Sequence, residues 1–276
     1  MGLRINTNLP ALTAMRSMDI NMRNTQRAMK QLATGSKYAD GTEPGAADYA
    51  IGEKIRAQEK GMEAAANNAA TATNFVQIAE GGLNEQNNIL MRMRELSVQS
   101  ASDTYSDDER EMMNYEFQQL SKEFDRVAQS TTYGSQKLLN GDGKTYQFQV
   151  GPSNSSNDVI KYDYEINSTA SNLNVDGLDV SSNSNAQDSL SKIDDAITQI
   201  GKQRASLGAI QSRFNSVSNY TADQIIGLEE GRSRIEDTDV AKSYSDFVKG
   251  QALQQYQIAV LSEANRLPGN ILKLIA

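Results

Sequence analysis

The 276-residue chain contains no cysteine, no histidine and no tryptophan. Without cysteine there is no disulfide, no thiolate zinc site and no thiol nucleophile. Without histidine the usual general base, the serine triad and the commonest metal ligand are missing. A carboxylate enzyme remains possible in principle, but acids spaced along helix faces read as solvated surface. The chain is therefore expected not to be an enzyme and to hold no cofactor and no metal. No apolar run is long enough to cross a bilayer, and "MGLRINTNLP" at the start lacks the apolar core of a cleavable signal peptide. Export, if it occurs, is expected by a route that reads no such signal, with no membrane insertion. The net charge of −8 comes without a basic cluster, which argues against nucleic acid as a partner.

What is present is helical periodicity. Ala11, Met15, Met18, Met22, Thr25, Met29 and Leu32 alternate spacings of four and three, a heptad seam that stops at Gly35. Residues 35–47 read as a connector, with Pro44 suited to the first turn of the next helix. A longer seam follows on Ile51, Ile55, Gln58, Met62, Ala65, Ala69, Ala72, Val76, Ala79, Leu83, Gln86, Leu90 and Met93. Gly81 and Gly82 are its weak point. The helix breaks near residue 102, and "SDDE" at 106–109 has the form of a capping box. A third helix runs on Met113, Phe117, Leu120, Phe124 and Val127 and ends before "TTYGSQ".

Residues 145–150 and 159–166 alternate apolar and polar side chains and predict a small β-hairpin region within about 141–180. Helix resumes near 187 on Leu190, Ile193, Ile197, Ile200, Leu207, Phe214, Ile225 and Leu228. "GLEEGRSRIEDTD" then reads as a charged connector centred on 229–235. The last helix carries Leu253, Val260, Ala264, Leu267, Ile271 and Leu274, interrupted near its end by Pro268 and Gly269. The expected fold is mainly α. It is a long antiparallel coiled-coil bundle with a small β region, in which the N- and C-terminal helices (1–34 and 236–276) pair and a central part (48–228) forms its own body.

Two features call for partners. The terminal helices have wide apolar strips that one pairing covers only in part. Either they form an ordinary antiparallel coiled coil, or they gain order when other copies cover them. The second feature is "MRMRELSVQSAS" at 91–102. On a helix, Leu90, Met93 and Ser97 share one strip, while Arg92, Leu96 and Gln99 share another about 120° away. Surface ion pairs of Arg92 and Arg94 with Glu95 or Glu85 explain the charges but not Leu96. An apolar residue among charges predicts a protein–protein contact.

Five motifs, in order, resemble those of bacterial flagellins: "INTN" (5–8), "LNEQNNILMRMRELSVQSAS" with its core R-E-L-x-V-Q-S, "LGAIQSRFNS" (207–216), "SRIEDTDVA" (233–241) and "NRLPGNILKLI" (265–275). The resemblance spans about residues 1–140 and 187–276. With only 141–186 between, it is to a minimal flagellin that lacks an inserted outer domain. Two departures stand out: Thr42-Glu43 replaces the usual paired acids of the connector, and the first helix is rich in Met and carries Pro10.

The resemblance implies an extracellular filament subunit that polymerises with copies of itself. It further implies an export chaperone, a type III export apparatus, a filament cap and hook–filament junction proteins as partners. It places Met15, Met18, Met22, Met29, Leu32, Leu253, Val260, Leu267, Ile271 and Leu274 in the packing of an inner tube, and the central helices in an outer tube. It makes Arg92, Leu96, Gln99 and Glu116 both a contact to the next subunit and the positions met by the vertebrate innate immune receptor on free monomer. Readings that compete are a hook–filament junction protein of the same superfamily and a secreted coiled-coil binding module.

Overall fold

The computed structural model describes residues 7–38 and 45–275, with the backbone alone for 267, 268 and 270–275. Ile5, Asn6, Thr42, Glu43 and Pro44, and the side chains of Leu267, Ile271 and Leu274, lie outside the described residues. The described helices are α1 (Leu9–Thr34), α2 (Ala46–Ser100), α3 (Asp107–Ser130), α4 (Asn183–Glu236) and α5 (Val240–Ile275). Between α3 and α4 lie four short strands: β1 (Thr132–Tyr133), β2 (Gln136–Lys137), β3 (Thr145–Gln149) and β4 (Val159–Asp163). They form two antiparallel pairs, β1–β2 and β3–β4. The fold is mainly α, as expected.

The chain divides into two compact units. The terminal unit holds α1, α2 as far as Gln58, α4 from Gly227, and α5; the central unit is Glu59–Ile226. Both divisions fall inside helices. Residues 229–235, expected as a connector, are the last turns of α4. Glycine costs a helix about 1 kcal/mol relative to alanine. The pairs Arg234–Glu230 and Arg232–Glu236, one turn apart, offset part of that.

The central unit is organised by α2. From Met62 to Met93 every seam position is buried, including Ala65, Ala69, Ala72, Ala79, Leu83, Gln86 and Leu90. Small residues at this spacing let a neighbouring helix approach closely. α4 lies antiparallel to α2, as the pairs Arg204–Glu80 and Arg94–Asp194 show. It buries Ile193, Ala196, Ile200, Leu207, Ile210 and Phe214. α3 returns along α2 with Phe117 and Phe124 in the core. Gln86, the polar residue in the seam, donates to the carbonyls of Phe124 (3.2 Å) and Ser168 (2.9 Å) and so ties three segments together. Gly82 is not a weak point. A Cβ there would lie 2.7 Å from both Leu139 Cδ1 and Thr131 Oγ1, so the close approach requires glycine.

The turn between α2 and α3 is fixed at both ends. Ser106 and Glu109 form the capping box reciprocally. The half-turn before it is held by Arg110, which donates from Nε to Ser100 O and from a terminal nitrogen to Ser102 O, each at 3.0 Å. The Ser100 carbonyl is one that the end of α2 leaves without a helical partner, and that of Ser102 belongs to the turn that follows. The β1–β2 hairpin, turning at Gly134–Ser135, was not anticipated; two-residue strands are too short to show alternation. β3 and β4 pair Phe148 with Ile160 and Tyr146 with Tyr162. Phe75 of α2 meets Tyr146 at 4.9 Å in a tilted contact, and Phe214 of α4 meets Phe148 edge-on at 5.1 Å between ring centroids, so the hairpin is held between aromatic rings of both helices.

Tyr164 ends that aromatic group with a buried hydroxyl that has no hydrogen-bond partner, and burial pushes its pKa upward. Tyr164→Phe removes an unsatisfied polar atom and keeps the ring. It is expected to leave stability unchanged or raise it by about 1 kcal/mol, read as the urea midpoint. A clear loss would contradict the unsatisfied state.

Three carboxyls of this unit titrate below their ordinary values. Glu109 is lowered by the Ser106 N–H and hydroxyl, and Glu123 by Arg126. Burial alone would raise Asp179, but hydrogen bonds from Ser181 and Asn185 outweigh it and leave it low. The folded state therefore binds fewer protons than the unfolded chain. The stabilisation is complete above the unfolded carboxylate values near about 4 and is lost as pH falls through the lower folded values. Thermal melts from pH 6 to pH 2 should show melting temperature flat at first and falling below about 4. Asp179→Asn should flatten the acid limb.

Candidate assembly surfaces

α1 and α5 run antiparallel, with Asn8, Ser17 and Asn21 opposite Ala264, Gln257 and Gly250. The face of α1 toward α5 is Ala11, Ala14, Met18, Asn21, Thr25, Ala28 and Leu32, buried or half-buried. This heptad shares Ala11, Met18, Thr25 and Leu32 with the expected seam. At the alternate positions it uses Ala14, Asn21 and Ala28 in place of Met15, Met22 and Met29. Those three methionines are 55%, 47% and 52% exposed. On α5 the inward residues are Ser243, Phe247, Gly250, Gln257, Leu261 and Ala264, while Leu253 and Val260 face out.

The reason for the shift is backbone proximity. Asn21 Nδ2 donates to Gly250 O at 2.8 Å, and a Cβ on Gly250 would clash with Thr25 Oγ1. Around Gly250 that separation leaves no room for a methionine at position 22 to turn inward, and the small or polar Asn21, Thr25 and Ala28 take the seam there.

The motifs at the two ends explain themselves as hydrogen-bond accounts. Asn8 caps α1, its Oδ1 accepting from Ala11 N at 3.1 Å. Its Nδ2 donates to Ala264 O at 2.8 Å. That carbonyl lies four residues before Pro268, which has no N–H to give it. α5 consequently runs through Pro268 and Gly269 to Ile275, where an interruption was expected. At its other end, Asp239 Oδ1 accepts from Lys242 N at 3.0 Å and caps α5. The link before it bridges to the end of α1: Lys37 N to Glu236 O at 2.7 Å and Thr238 N to Gly35 O at 2.8 Å. Lys37 Nζ adds a bond to Arg234 O, and the Glu236 carboxylate, 5% exposed, meets Arg56 at 2.9 Å.

The outer faces of this pair are apolar. Leu9, Leu12, Met15, Met22, Met29, Val240, Tyr244, Val248, Tyr256, Ile258 and Val260 are all exposed. A groove of about 590 Å³ beside the seam is lined by Pro10, Ala14, Leu253, Tyr256 and Val260 among others. Apolar area left in water forgoes about 25 cal/mol per Å².

In the central unit, Arg92 bridges Glu95 on its own helix and Glu116 of α3, the latter at 2.8 Å from its Nε. These hydrogen bonds push its pKa further up. Arg94 reaches Asp194 of α4 at 2.6 Å rather than Glu85. Gln99 is half-buried and shares a shallow groove with Met91, Arg92, Arg94, Glu95 and Val98. Leu96 does not belong to this surface. It is 1% exposed and packs in the core, because α3 returns over that side of α2. The apolar residues that do sit among the charges are Met91 and Val98.

Two family profiles match the chain: the bacterial flagellin N-terminal helical region over residues 5–144 and the bacterial flagellin C-terminal helical region over 190–275. The chain belongs to the bacterial flagellin family. The flagellin of Halalkalibacterium halodurans is 36% identical over 98% of this chain and 99% of its own length. That of Bacillus subtilis is 32% identical over 99% and 100%. Among solved structures, Bacillus cereus flagellin matches with TM-score 0.51 and 26% identity over 56% of this chain and 88% of its own. A putative flagellar hook-associated protein of Vibrio parahaemolyticus matches with TM-score 0.59 over 70% of this chain and 100% of its own. At 12% identity that likeness is one of fold alone. As a flagellin the chain is a subunit of the flagellar filament. No helix among its described residues is long and apolar enough to cross a membrane.

The pairing of Asn8 with a carbonyl left open by proline predicts a coupling. Asn8→Ala should cost about 1 kcal/mol for the lost cap and more for the orphaned carbonyl. In a Pro268→Ala background the new backbone N–H satisfies that carbonyl, so the same substitution should cost only the cap. A double-mutant cycle on the thermal melt of the terminal helices reads the difference. Additive effects would refute the link.

Proposed function

We propose that this filament subunit works outside the cell and that its two units have separate duties. The α1–α5 pair forms an inner tube with the same pair of other copies. The central unit forms an outer tube, with the strip of Met91, Arg92, Val98, Gln99 and Glu116 against the next subunit. Leu96 serves by fixing α2 on α3 and not by contact. The observation that carries this reading is the apolar outer face of α1 and α5. The central seam is sealed by its own chain, whereas Met15, Met22, Met29, Tyr256 and Val260 are exposed. A surface of this kind, built on a pair already satisfied in its backbone, calls for protein of the same composition on several sides.

The same exposure argues that the subunit is kept from assembling until delivery. An export chaperone, a type III apparatus that passes the chain unfolded, a filament cap under which it folds and the hook–filament junction proteins are the partners this reading requires. A chain without disulfides suits transit in an unfolded state.

Sheared filament fragments mixed with purified subunit test the division of duties. The full chain should elongate the fragments, as seen by negative-stain microscopy. A chain ending at Asp239 should keep a cooperative melt for the central unit and fail to elongate. Filaments from the shortened chain would overturn the inner-tube assignment.

A further inference from the structure

The residues of α1 differ in charge from the rest of the chain. They hold four basic side chains, Arg16, Arg23, Arg27 and Lys30, against a single acid, Asp19, a net +3 within a chain of −8. The helix sorts them. Met15, Met22 and Met29 form one exposed line at seven-residue spacing. Arg16, Arg23 and Lys30, each the residue after one of those methionines, form a second exposed line about 100° further round. The seam with α5, from Ala11 to Leu32, borders the methionines on their other side. Successive members of a line drift only about 20°, so each line keeps its side of the helix. Seam and methionines together make one apolar face, and the basic line lies across the helix from it. α5 covers only the seam part of that face.

We propose that, before delivery and before α5 is in place, this helix docks on the surface of an anionic lipid bilayer. The proposal rests on the reading that the terminal pair closes only after delivery. A helix with one apolar face and a basic polar face lies in the plane of a lipid interface. Thioethers are flexible enough to fit among acyl chains. Lipid takes up the methionine line and the seam together, whereas α5 takes the seam alone. Across a helix about 10 Å wide, the basic line stays within about one Debye length of the headgroups, so their charge attracts it. The central unit, with 23 acids and 13 basic residues over 59–226, is repelled by the same surface, which confines the contact to the terminal segment. The helix lies on the bilayer and does not cross it, since no described helix is long and apolar enough to span. Docking on lipid and pairing with α5 use the same seam residues, so each excludes the other.

The test uses the lack of cysteine. A Cβ on Gly250 would lie 3.2 Å from Thr25 Cβ, close to the about 3.8 Å that a disulfide spans. The full chain carrying Thr25→Cys and Gly250→Cys can therefore be locked with α1 on α5 by oxidation and released by reduction. It is floated with vesicles of phosphatidylcholine alone, or of phosphatidylcholine and phosphatidylglycerol in equal parts. The reduced chain should float with the anionic vesicles only, gain helix by circular dichroism and be displaced by salt. The oxidised chain should stay behind. Arg16→Gln, Arg23→Gln and Lys30→Gln together should weaken binding of the reduced chain about a hundredfold. Equal binding to neutral vesicles, equal binding of the locked chain, or indifference to the three substitutions would each overturn the proposal. So would self-association of the reduced chain in place of flotation, which makes a second copy the occupant. Elongation of filament fragments by the unsubstituted chain, without vesicles, reports on assembly by itself. If that chain elongates fragments and the reduced chain does not float, the assembly reading stands and the lipid surface falls. If it does not elongate them, it is the assembly reading that fails.

Discussion

The closeness of approach between paired helices is the constraint from which most of this structure follows. Alanine, glycine, serine and asparagine placed in a heptad seam let two backbones come near enough for side-chain amides to reach the opposite main chain, as Asn21 reaches Gly250. At the points of closest approach, as at Gly250, large side chains have no room between the helices and lie on the flanks. In the central unit α3, α4 and the aromatic hairpin cover those flanks, so α2 carries Phe75, Ile89 and Leu96 into a sealed core beside its alanines. On the terminal pair none of the described residues covers them, and the bulky apolar side chains stay outside. One packing rule thus gives a self-contained unit and a unit with unmet surface.

Much of the architecture could be read from sequence. The α2 seam is legible because apolar and small residues coincide on one line from Met62 to Met93, so hydropathy and steric demand agree. The capping box at Ser106 and the stop at Gly35 are legible because their chemistry is local. On α1 the two signals part. The methionine line has the stronger hydropathy and the alanine–asparagine line the better fit, and the two share every other position. Periodicity alone favours the apolar line; only the glycine at 250, more than two hundred residues away, decides for the small one.

The other differences have the same origin in distant partners. Leu96 looks isolated among charges until α3 folds back over it. Residues 229–235 carry glycine and many charges, yet they are helical, with the charges paired one turn apart as Arg234–Glu230 and Arg232–Glu236. Pro268 looks like a helix stop, but the bond it forfeits is replaced by Asn8 from the opposite end of the chain. Motifs that read as separate signatures at the two termini are two halves of one set of bonds. This explains why neither half makes local sense.

The Asn21–Gly250 bond joins residues 229 positions apart. Closing that contact means closing a loop around the whole central unit. A ribosome releases α1 first and its mate last, so throughout synthesis the first helix has no seam to enter. For that interval it is a lone amphipathic segment, without the tertiary packing that supplies most of a helix's stability in a protein. Its order in time is thus the reverse of its order in sequence: the first element made is among the last to be secured.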